Sequence, residues 1–474
     1  SPTPLEASAL EVARDRLGAP GRGARASTAL LAAARELARA CAAGDAGALD
    51  RGRIRVALAR AGAWDPAPTA VLVESDPASL RAALAGALPR SRATHVGAGV
   101  ADRAGRAVAV VLSSERKAAL SPFPREVAPG ERAVLSGRLS GGLARPRVFV
   151  ALPSGRVEEF EAGAGPGFRA AVAFPSAGRY AVEVIAEGAR GPEVAALLPV
   201  SAGGAPLEAA AGGSEQEPPD DAGAEAAVLR ALDATRRRQG LSTLVPSPAL
   251  AAAARRHSAA MADAGVVAHA VPGSGDAGTR LRDARVPYRR VLENVALSSS
   301  ALDAHRVTEE SPAHLANLLS PATTQVGVGL ARRKLASGDD AVYLTELFVE
   351  PPDDGAGSRL TADARVREAL WAERARGGLP PLTSDAALDA LAREAAGEMR
   401  GRDEPEAPEL ADHALALRRD LAAVDVFVAS APADATRSAN LRDRRFRRVG
   451  VGVATGDSRR FGAGRLWIAV VYTD

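Results

Sequence analysis

Cysteine, aromatic residues and long apolar runs are all scarce in this chain of 474 residues. Its single cysteine, Cys41, excludes a framework of intrachain disulfides. Aromatic residues make up only 3%, so the cores must be built mainly from Ala, Val and Leu. No apolar run approaches the roughly 20 residues that a membrane-spanning helix needs, so we predict no transmembrane segment.

Neither sign of charge is in excess. The chain carries 60 Lys and Arg against 57 Asp and Glu, and it has no polybasic run. This balance argues against a nucleic-acid partner. The glycine-rich strands at 97–99, 327–329 and 450–452 lack the helix start and the lysine of a phosphate loop. We expect these glycines instead to allow the backbone of a neighbouring helix to approach closely.

Length and composition together indicate several domains, because one core does not grow to this size. Short β-rich runs separated by Gly and Pro turns indicate an all-β sandwich in the second segment. The boundaries that we predict are 1–118 and 361–474 for two helix-and-strand domains, 119–203 for the sandwich, 225–351 for a further helix-and-strand domain, and 204–224 and 352–360 for two linkers.

An internal repeat relates three of these segments. The spacings of the segment 225–351 return in 361–474, and less closely in 1–118. The matched positions are Gly240-Leu241 with Gly378-Leu379, Leu250 and Met261 with Leu388 and Met399 and with Leu30 and Cys41, and Val326–Gly329 with Val449–Gly452 and Val96–Gly99. We therefore predict three units of one fold, with the sandwich between the first and the second.

Three of the six histidines, His269, His305 and His314, lie in the stretch 269–319 of the middle unit, and the first and last of them are the candidate site residues. Ser311 suits a helix N-cap, so His314 falls in the first turn of a helix, where the dipole disfavours the imidazolium. A neutral imidazole is what a metal ion or a general base requires. Glu293 precedes a short apolar run, so we expect it to be partly buried and to have a partner.

This stretch resembles the CAP superfamily of SCP-like extracellular proteins, in its bacterial form. The matching residues are Gly240-Leu241-x-x-Leu244, His269, Glu293-Asn294, the Ser311-Pro312-Ala313-His314 helix start, Asn317-Leu318-Leu319 and the Val326–Gly329 strand. The resemblance extends over residues 225–350. The family's usual tryptophan is Thr308 here, and Glu310 is the nearest candidate for a second cavity glutamate.

The resemblance implies a multidomain α+β chain. Each CAP unit should be a three-layer α/β/α sandwich with a short antiparallel sheet. Separately, the run Gly178–Val184 resembles a late strand of Ig-like modules, so we expect the all-β sandwich to be of Ig-like type. In the middle unit, helices at about 224–238 and 248–263 should pack on a sheet that carries 324–331 and 341–349. Within the Ig-like sandwich, Tyr180 is the candidate corner tyrosine.

The resemblance also implies a polar cleft in the middle unit, formed by His269, Glu293, Asn294, Glu310, Ser311 and His314. Three of these, His269, Glu293 and His314, could hold a divalent metal ion, for which zinc is the candidate. Counting from the shared Asn-Leu pair, His314 corresponds to Arg437 in the third unit and to Leu84 in the first. The two outer units are therefore expected to be degenerate, serving architecture or partner contacts.

Structural roles are expected for the other polar residues. Asn294 should bond the backbone beside Glu293. His257 and His305 should lie on helix surfaces or in packing, and Cys41 should belong to a core.

Three classes of function remain open at this point. The one we favour is an exported binding protein, secreted or located in the periplasm or envelope. It would bind a small lipid-like molecule, a divalent metal or an envelope partner. A metal-assisted hydrolase or protease using the same cleft is the second, and a purely structural envelope protein is the third. We favour binding over catalysis because Ser311 is better explained as a helix cap than as a nucleophile.

Overall fold

The structure is a computed structural model that describes residues 2–19, 23–207, 217–335, 340–352, 361–418 and 421–474. Contacts divide the chain into two compact units. Unit 1 comprises Ser1–Glu217 and Arg306–Leu318, and unit 2 comprises Pro218–His305 and Leu319–Asp474. Of the two predicted linkers, residues 208–216 and 353–360 lie outside the described residues.

Unit 1 begins with a four-stranded sheet that has helices on both faces. The elements are α1 (Pro4–Leu17), β1 (Arg25–Ala26), α2 (Thr28–Ala42), α3 (Arg51–Arg60), β2 (Thr69–Ser75), α4 (Leu80–Ala87), β3 (His95–Arg103) and β4 (Arg106–Ser114). Successive residues of β4 point to opposite faces. Ala107, Ala109 and Val111 pack with α1 and α4, whereas Val108 and Val110 pack with α2 and α3. Both faces of β4 are covered, which explains why its sequence is continuously apolar.

Two further sheets of unit 1 enclose a single core. Their strands are β5 (Ala118–Leu120), β6 (Glu126–Val127), β7 (Arg132–Leu139), β8 (Ala144–Ala151), β9 (Val157–Glu161), β10 (Gly167–Ala173), β11 (Gly178–Gly188) and β12 (Gly191–Ala202). The orders are β10-β7-β5 and β6-β12-β11-β8-β9. The hydroxyl of Tyr180 donates to the carbonyl of Ser176 at 2.9 Å, as a corner tyrosine does. The Ig-like assignment stays a prediction.

The middle part of the chain forms a second four-stranded sheet with its helices. The elements are α5 (Asp221–Arg238), β13 (Val245–Pro246), α6 (Pro248–Ala264), α7 (Ala277–Asp283), β14 (Arg290–Ser298), α8 (Ala301–Glu310), α9 (Pro312–Leu318), β15 (Gln325–Lys334) and β16 (Asp340–Glu350). The predicted helices and strands of this region are confirmed to within a few residues. All of it belongs to unit 2 except Arg306–Leu318, which contains α9.

The last part of unit 2 forms a third such sheet. Its elements are α10 (Ala362–Arg376), β17 (Thr383–Ser384), α11 (Ala386–Arg402), α12 (Leu410–Arg418), β18 (Ala422–Ala429), β19 (Arg448–Ser458) and β20 (Gly462–Thr473). Its core is again divided between two faces. Val449 and Val451 pack on the side of α10, whereas Trp467 and Ala469 pack on the side of α11 and α12.

The three four-stranded sheets share one strand order. Numbered within each sheet, the order is first, third, fourth, second, with only the first strand parallel to its neighbour. The glycine prediction is confirmed. A Cβ at Gly97, Gly327 or Gly450 would lie 2.2 Å from the carbonyl carbon of the helical leucine, which is Leu30, Leu250 or Leu388 respectively. The α+β multidomain class is thereby confirmed, whereas the identity of the outer units as degenerate CAP domains stays a prediction.

Candidate functional site

Glu293 is the centre of a buried polar cluster in unit 2. It lies on β14, opposite Leu347 of β16, and only 7% of the residue is exposed. His269 Nδ1 lies 2.9 Å from its Oε2 atom. The guanidinium of Arg280 donates to its Oε1 atom. The expectation of a partner for Glu293 is therefore confirmed, with His269 and Arg280 as partners, and its burial is more complete than the partial burial that we expected.

Arg280 fixes both the carboxylate and the loop that carries His269. It lies on α7, its side chain is 5% exposed, and its Nη1 atom donates to the carbonyl of His269 at 3.1 Å. Burial raises the pKa of Glu293, but the hydrogen bond with His269 and the charge of Arg280 outweigh burial, so this pKa lies below its usual value. The carboxylate is thus ionised and already engaged by two partners.

His257 supports the same loop from α6. Its Nε2 atom lies 3.0 Å from the carbonyl oxygen of Ala268, and its Nδ1 atom lies 3.0 Å from Ser274 Oγ. The carbonyl can only accept, so Nε2 carries the proton and Nδ1 accepts from the serine. Burial lowers the pKa of His257, which favours this neutral form. His257 is fully buried, so of its two expected locations packing is correct and a helix surface is wrong.

A second buried cluster lies beside Glu293 in the same sheet. Glu346 of β16 is fully buried, and its Oε1 atom lies 2.6 Å from His305 Nδ1. Asn294 pairs with Glu346 in the register of β14 and β16, and its Nδ2 atom donates to Oε2 at 3.1 Å. We expected Asn294 to bond the backbone beside Glu293, and this expectation did not include Glu346. Cross-strand pairing, which the sequence does not reveal, places Glu346 directly opposite Asn294. His305 is buried, so of its two expected locations packing is correct and a helix surface is wrong.

The remaining predicted site residues belong to unit 1. Glu310 Oε2 lies 2.7 Å from a guanidinium nitrogen of Arg55 on α3. Ser311 caps α9, because the backbone N–H of His314 donates to its Oγ atom at 3.4 Å. That Oγ atom also lies 2.7 Å from His314 Nδ1, and it donates to the buried carboxylate of Glu183 on β11.

The structure thus brings His269 together with Glu293 in unit 2, and Ser311 together with His314 in unit 1. Across the described parts of the chain, no group of three or more His, Cys, Asp or Glu side chains is arranged to hold a metal ion. The metal set of His269, Glu293 and His314, like the six-residue cleft, stays a prediction.

Register shows how the middle sheet differs from the other two. In the middle sheet, Glu293 and the first glycine of the glycine strand pair with the same residue of the strand between them. The residue in that position is Val424 in the third sheet and Ala70 in the first. Glu346 corresponds in the same way to Val470 and Val111. The middle sheet is therefore polar at buried positions that are apolar in both other sheets.

Sequence reasoning missed three residues of these clusters: Arg280, Glu346 and Glu183. Two of them had a usable signal, because Glu346 and Glu183 are the charged residues in the mainly apolar interior of their strands. A charged residue in such a run is almost never fully buried without a partner. Arg280 had no comparable signal, since α7 contains another arginine, Arg282, only two residues away.

Among solved structures, three similar chains are bacterial proteins. An outer surface protein from Borrelia burgdorferi is 16% identical, over 27% of this chain and 91% of that chain, with a TM-score of 0.24. An extracellular protein containing an SCP domain from Bacillus anthracis is 18% identical, over 46% and 81%, with a TM-score of 0.25. A cysteine-rich secretory protein from Staphylococcus aureus is 12% identical, over 50% and 89%, with a TM-score of 0.23.

Comparison with curated proteins gave no match. No helix in the described ranges is both long enough and apolar enough to cross a membrane. The sequence profile of the cysteine-rich secretory protein family, CAP, matches residues 229–347. This range contains β14, β15 and all but the last three residues of β16, together with every predicted site residue. Residues 229–347 of this chain therefore match the CAP family.

Proposed function

We propose that this chain is an exported binding protein and that its CAP domain binds through the polar site around His269 and Glu293. The ligand would be a small apolar molecule, a divalent metal ion or a partner in the cell envelope. The engagement of Glu293 carries this proposal. A carboxylate whose pKa lies below its usual value, and which Arg280 and His269 already hold, is a weak general base. Such a group orients its neighbours well and abstracts protons poorly.

Zinc is the metal that the available donors suit best. Metal-binding imidazoles usually coordinate through one nitrogen while an oxygen holds the other. His269 has Nδ1 held by Glu293, and His314 has Nδ1 held by Ser311. The cationic guanidinium on Glu293 disfavours a second cation there, so Glu293 fits as the group that orients His269 rather than as a ligand. A bound zinc ion would supply a coordination position for an oxygen of the ligand.

Calorimetric titration of the full chain with zinc tests the metal part of this proposal. We expect one site in the wild-type protein and at least tenfold weaker binding in His269→Ala and in His314→Ala. His413→Ala is the matched control, because His413 is an exposed imidazole on α12 and should leave the affinity unchanged. Binding that survives in both site variants would remove the metal from the proposal.

One observation favours the hydrolase alternative, namely the 2.7 Å contact between Ser311 Oγ and His314 Nδ1. Against it, the single hydroxyl proton of Ser311 faces the carboxylate of Glu183, and the serine is 6% exposed. Among the described residues, no serine or cysteine adopts the left-handed backbone conformation of a strained turn. Burial also raises the pKa of Cys41, which makes that thiol a poor nucleophile.

Activity assays separate the two classes of function. The zinc-loaded chain should show no turnover of casein, peptides or esters. Turnover that disappears in the double variant His269→Ala/His314→Ala would replace the binding proposal with the hydrolase. Lipids that co-purify with the wild-type chain from an envelope extract, and not with the double variant, would support binding of an apolar ligand. Retention of neither lipid nor protein partner would favour a purely structural role.

A further inference from the structure

A buried carboxyl group in the β-sandwich has no role in the site described so far. Glu183 lies in the interior of β11 and is fully buried, between Phe149 of β8 and Leu197 of β12 in the register of the sheet. A carboxyl group in such surroundings requires polar partners. Burial raises its pKa to about 7, against the opposing effects of the Ala313 N–H, Ser311 and the charge of Arg55.

The partners of Glu183 come from the start of α9, within unit 1. Ser311 Oγ lies 2.8 Å from Oε1 and 2.9 Å from Oε2 of the carboxyl group. The backbone N–H of Ala313 donates to Oε2 at 2.8 Å. Ser311 Oγ also lies 2.7 Å from Nδ1 of His314. These contacts form a continuous hydrogen-bonded chain from Glu183 through Ser311 to His314.

The number of protons available to these three side chains determines which group donates in each hydrogen bond. An ionised carboxylate can only accept, so the one hydroxyl proton of Ser311 must be donated to Glu183. The serine oxygen then accepts from His314, which requires the proton of the imidazole to be on Nδ1. A neutral imidazole with a proton on Nδ1 carries its lone pair on Nε2. Free histidine side chains in water prefer the opposite tautomer, so this arrangement must be imposed by the surroundings.

We propose that Glu183 is a positioning residue for His314, and that it acts through Ser311 to hold the imidazole proton on Nδ1. A residue of the β-sandwich thereby controls the chemistry of a histidine in the CAP sequence. The use of the Nε2 lone pair by a metal ion or ligand rests on the proposed function, whereas the tautomer itself does not. Arg55 of α3 is the charged side chain that acts on Glu183, and it is itself paired with Glu310.

Nitrogen-15 NMR of the full, metal-free chain labelled at histidine tests this proposal. At a pH of about 8, above the pKa of about 7 of Glu183, we expect His314 with protonated Nδ1 and unprotonated Nε2. Its signals are assigned by their loss in His314→Ala. In Glu183→Gln and in Ser311→Ala, the population with the proton on Nε2 should rise several-fold. Glu187→Gln is the control, because Glu187 lies on the same strand and is 32% exposed, and it should leave the tautomer unchanged.

A wild-type His314 with its proton on Nε2 would overturn the proposal, and so would a tautomer that neither Glu183→Gln nor Ser311→Ala changes. Ser311→Ala decides the matter if Glu183→Gln does not fold, because it breaks the chain without altering the buried carboxyl group. Failure of zinc binding with the expected tautomer would remove the metal proposal and leave this one intact. Zinc binding, together with a tautomer that neither variant changes, would support the metal proposal and overturn this one.

Discussion

Gly327 of β15 lies so close to α6 that a Cβ on it would be 2.2 Å from the carbonyl carbon of Leu250. Two residues further along the strand, a Cβ on Gly329 would lie 2.1 Å from the backbone nitrogen of Arg255. The helix therefore rests directly on the backbone of the strand. Ala253 and Ala254, both fully buried, are the small residues that allow this approach from the side of the helix.

Substitution of Gly327 by alanine should destabilise the middle unit strongly. The methyl group meets backbone atoms, which cannot rotate away, so we expect the free energy of unfolding to fall by about 3 kcal/mol or more. Denaturant unfolding of the full chain measures this change. Gly397→Ala is the control, because Gly397 lies inside α11 with no atom within 4 Å of its Cβ position. That change should stabilise the helix by up to about 1 kcal/mol. Equal stability of the two variants would contradict the packing argument.

This packing was readable in the sequence because it leaves a regular trace. The separation of eleven residues between Leu250 and Met261 recurs between Leu388 and Met399, and each pair is followed by a glycine strand. Such spacings depend on helix and strand periods, which are properties of neighbouring residues. Helix and strand positions in the middle unit could therefore be predicted to within a few residues.

The polar partners were not readable in the same way, because they depend on contacts between distant parts of the chain. Ser311 and Glu183 are 128 positions apart, and Asn294 and Glu346 are 52 apart. No local period relates such pairs. The family resemblance supplied His269 and Glu293, whose contact is present, but Arg280 was missed because α7 has no sequence feature that sets one arginine apart.

Substitution of Arg280 by methionine should destabilise the middle unit by about 3–5 kcal/mol, because it leaves the buried Glu293 without its cationic partner. Arg282→Met on the same helix is the matched control, since Arg282 is more exposed.

The pH dependence of the stability gives a second measurement for Arg280. Folding lowers the pKa of Glu293 below its usual value of 4.5, so its contribution to stability is present above that pH and is lost as the pH falls through the folded pKa. Arg280→Met should reduce this loss of stability at acidic pH. If the free energy of unfolding depends on acidic pH in the same way in both proteins, Arg280 is not the partner that lowers the pKa of Glu293.

Ionisation of Glu183 should make the β-sandwich less stable as the pH rises. The pKa of Glu183 is about 7 in the folded state, against the usual 4.5 of an exposed carboxyl group, so between these values the native state binds more protons than the unfolded state. The free energy of unfolding should therefore fall by about 3 kcal/mol across this window. Amide hydrogen exchange in β11 measures it locally. Glu183→Gln should remove this slope, and Glu187→Gln should keep it. The same slope in wild type and Glu183→Gln would show that Glu183 ionises as it does in the unfolded chain.

The last prediction concerns Glu346, which is fully buried and holds both His305 and Asn294. Glu346→Val should lower the free energy of unfolding by about 3 kcal/mol or more, because two buried donors lose an acceptor at about 1–3 kcal/mol each. Shape cannot account for such a loss, because the corresponding positions of the other two sheets are Val470 and Val111. Denaturant unfolding measures the change.

Glu350→Val provides the comparison on the same strand. Glu350 forms a more exposed ion pair, 2.9 Å from Arg289, and its loss should cost no more than about 1 kcal/mol. If the two variants lose stability equally, the buried cluster around Glu346 contributes no more than a surface ion pair. A large difference would mean that Glu346 stabilises the middle sheet by accepting hydrogen bonds from the buried side chains of His305 and Asn294.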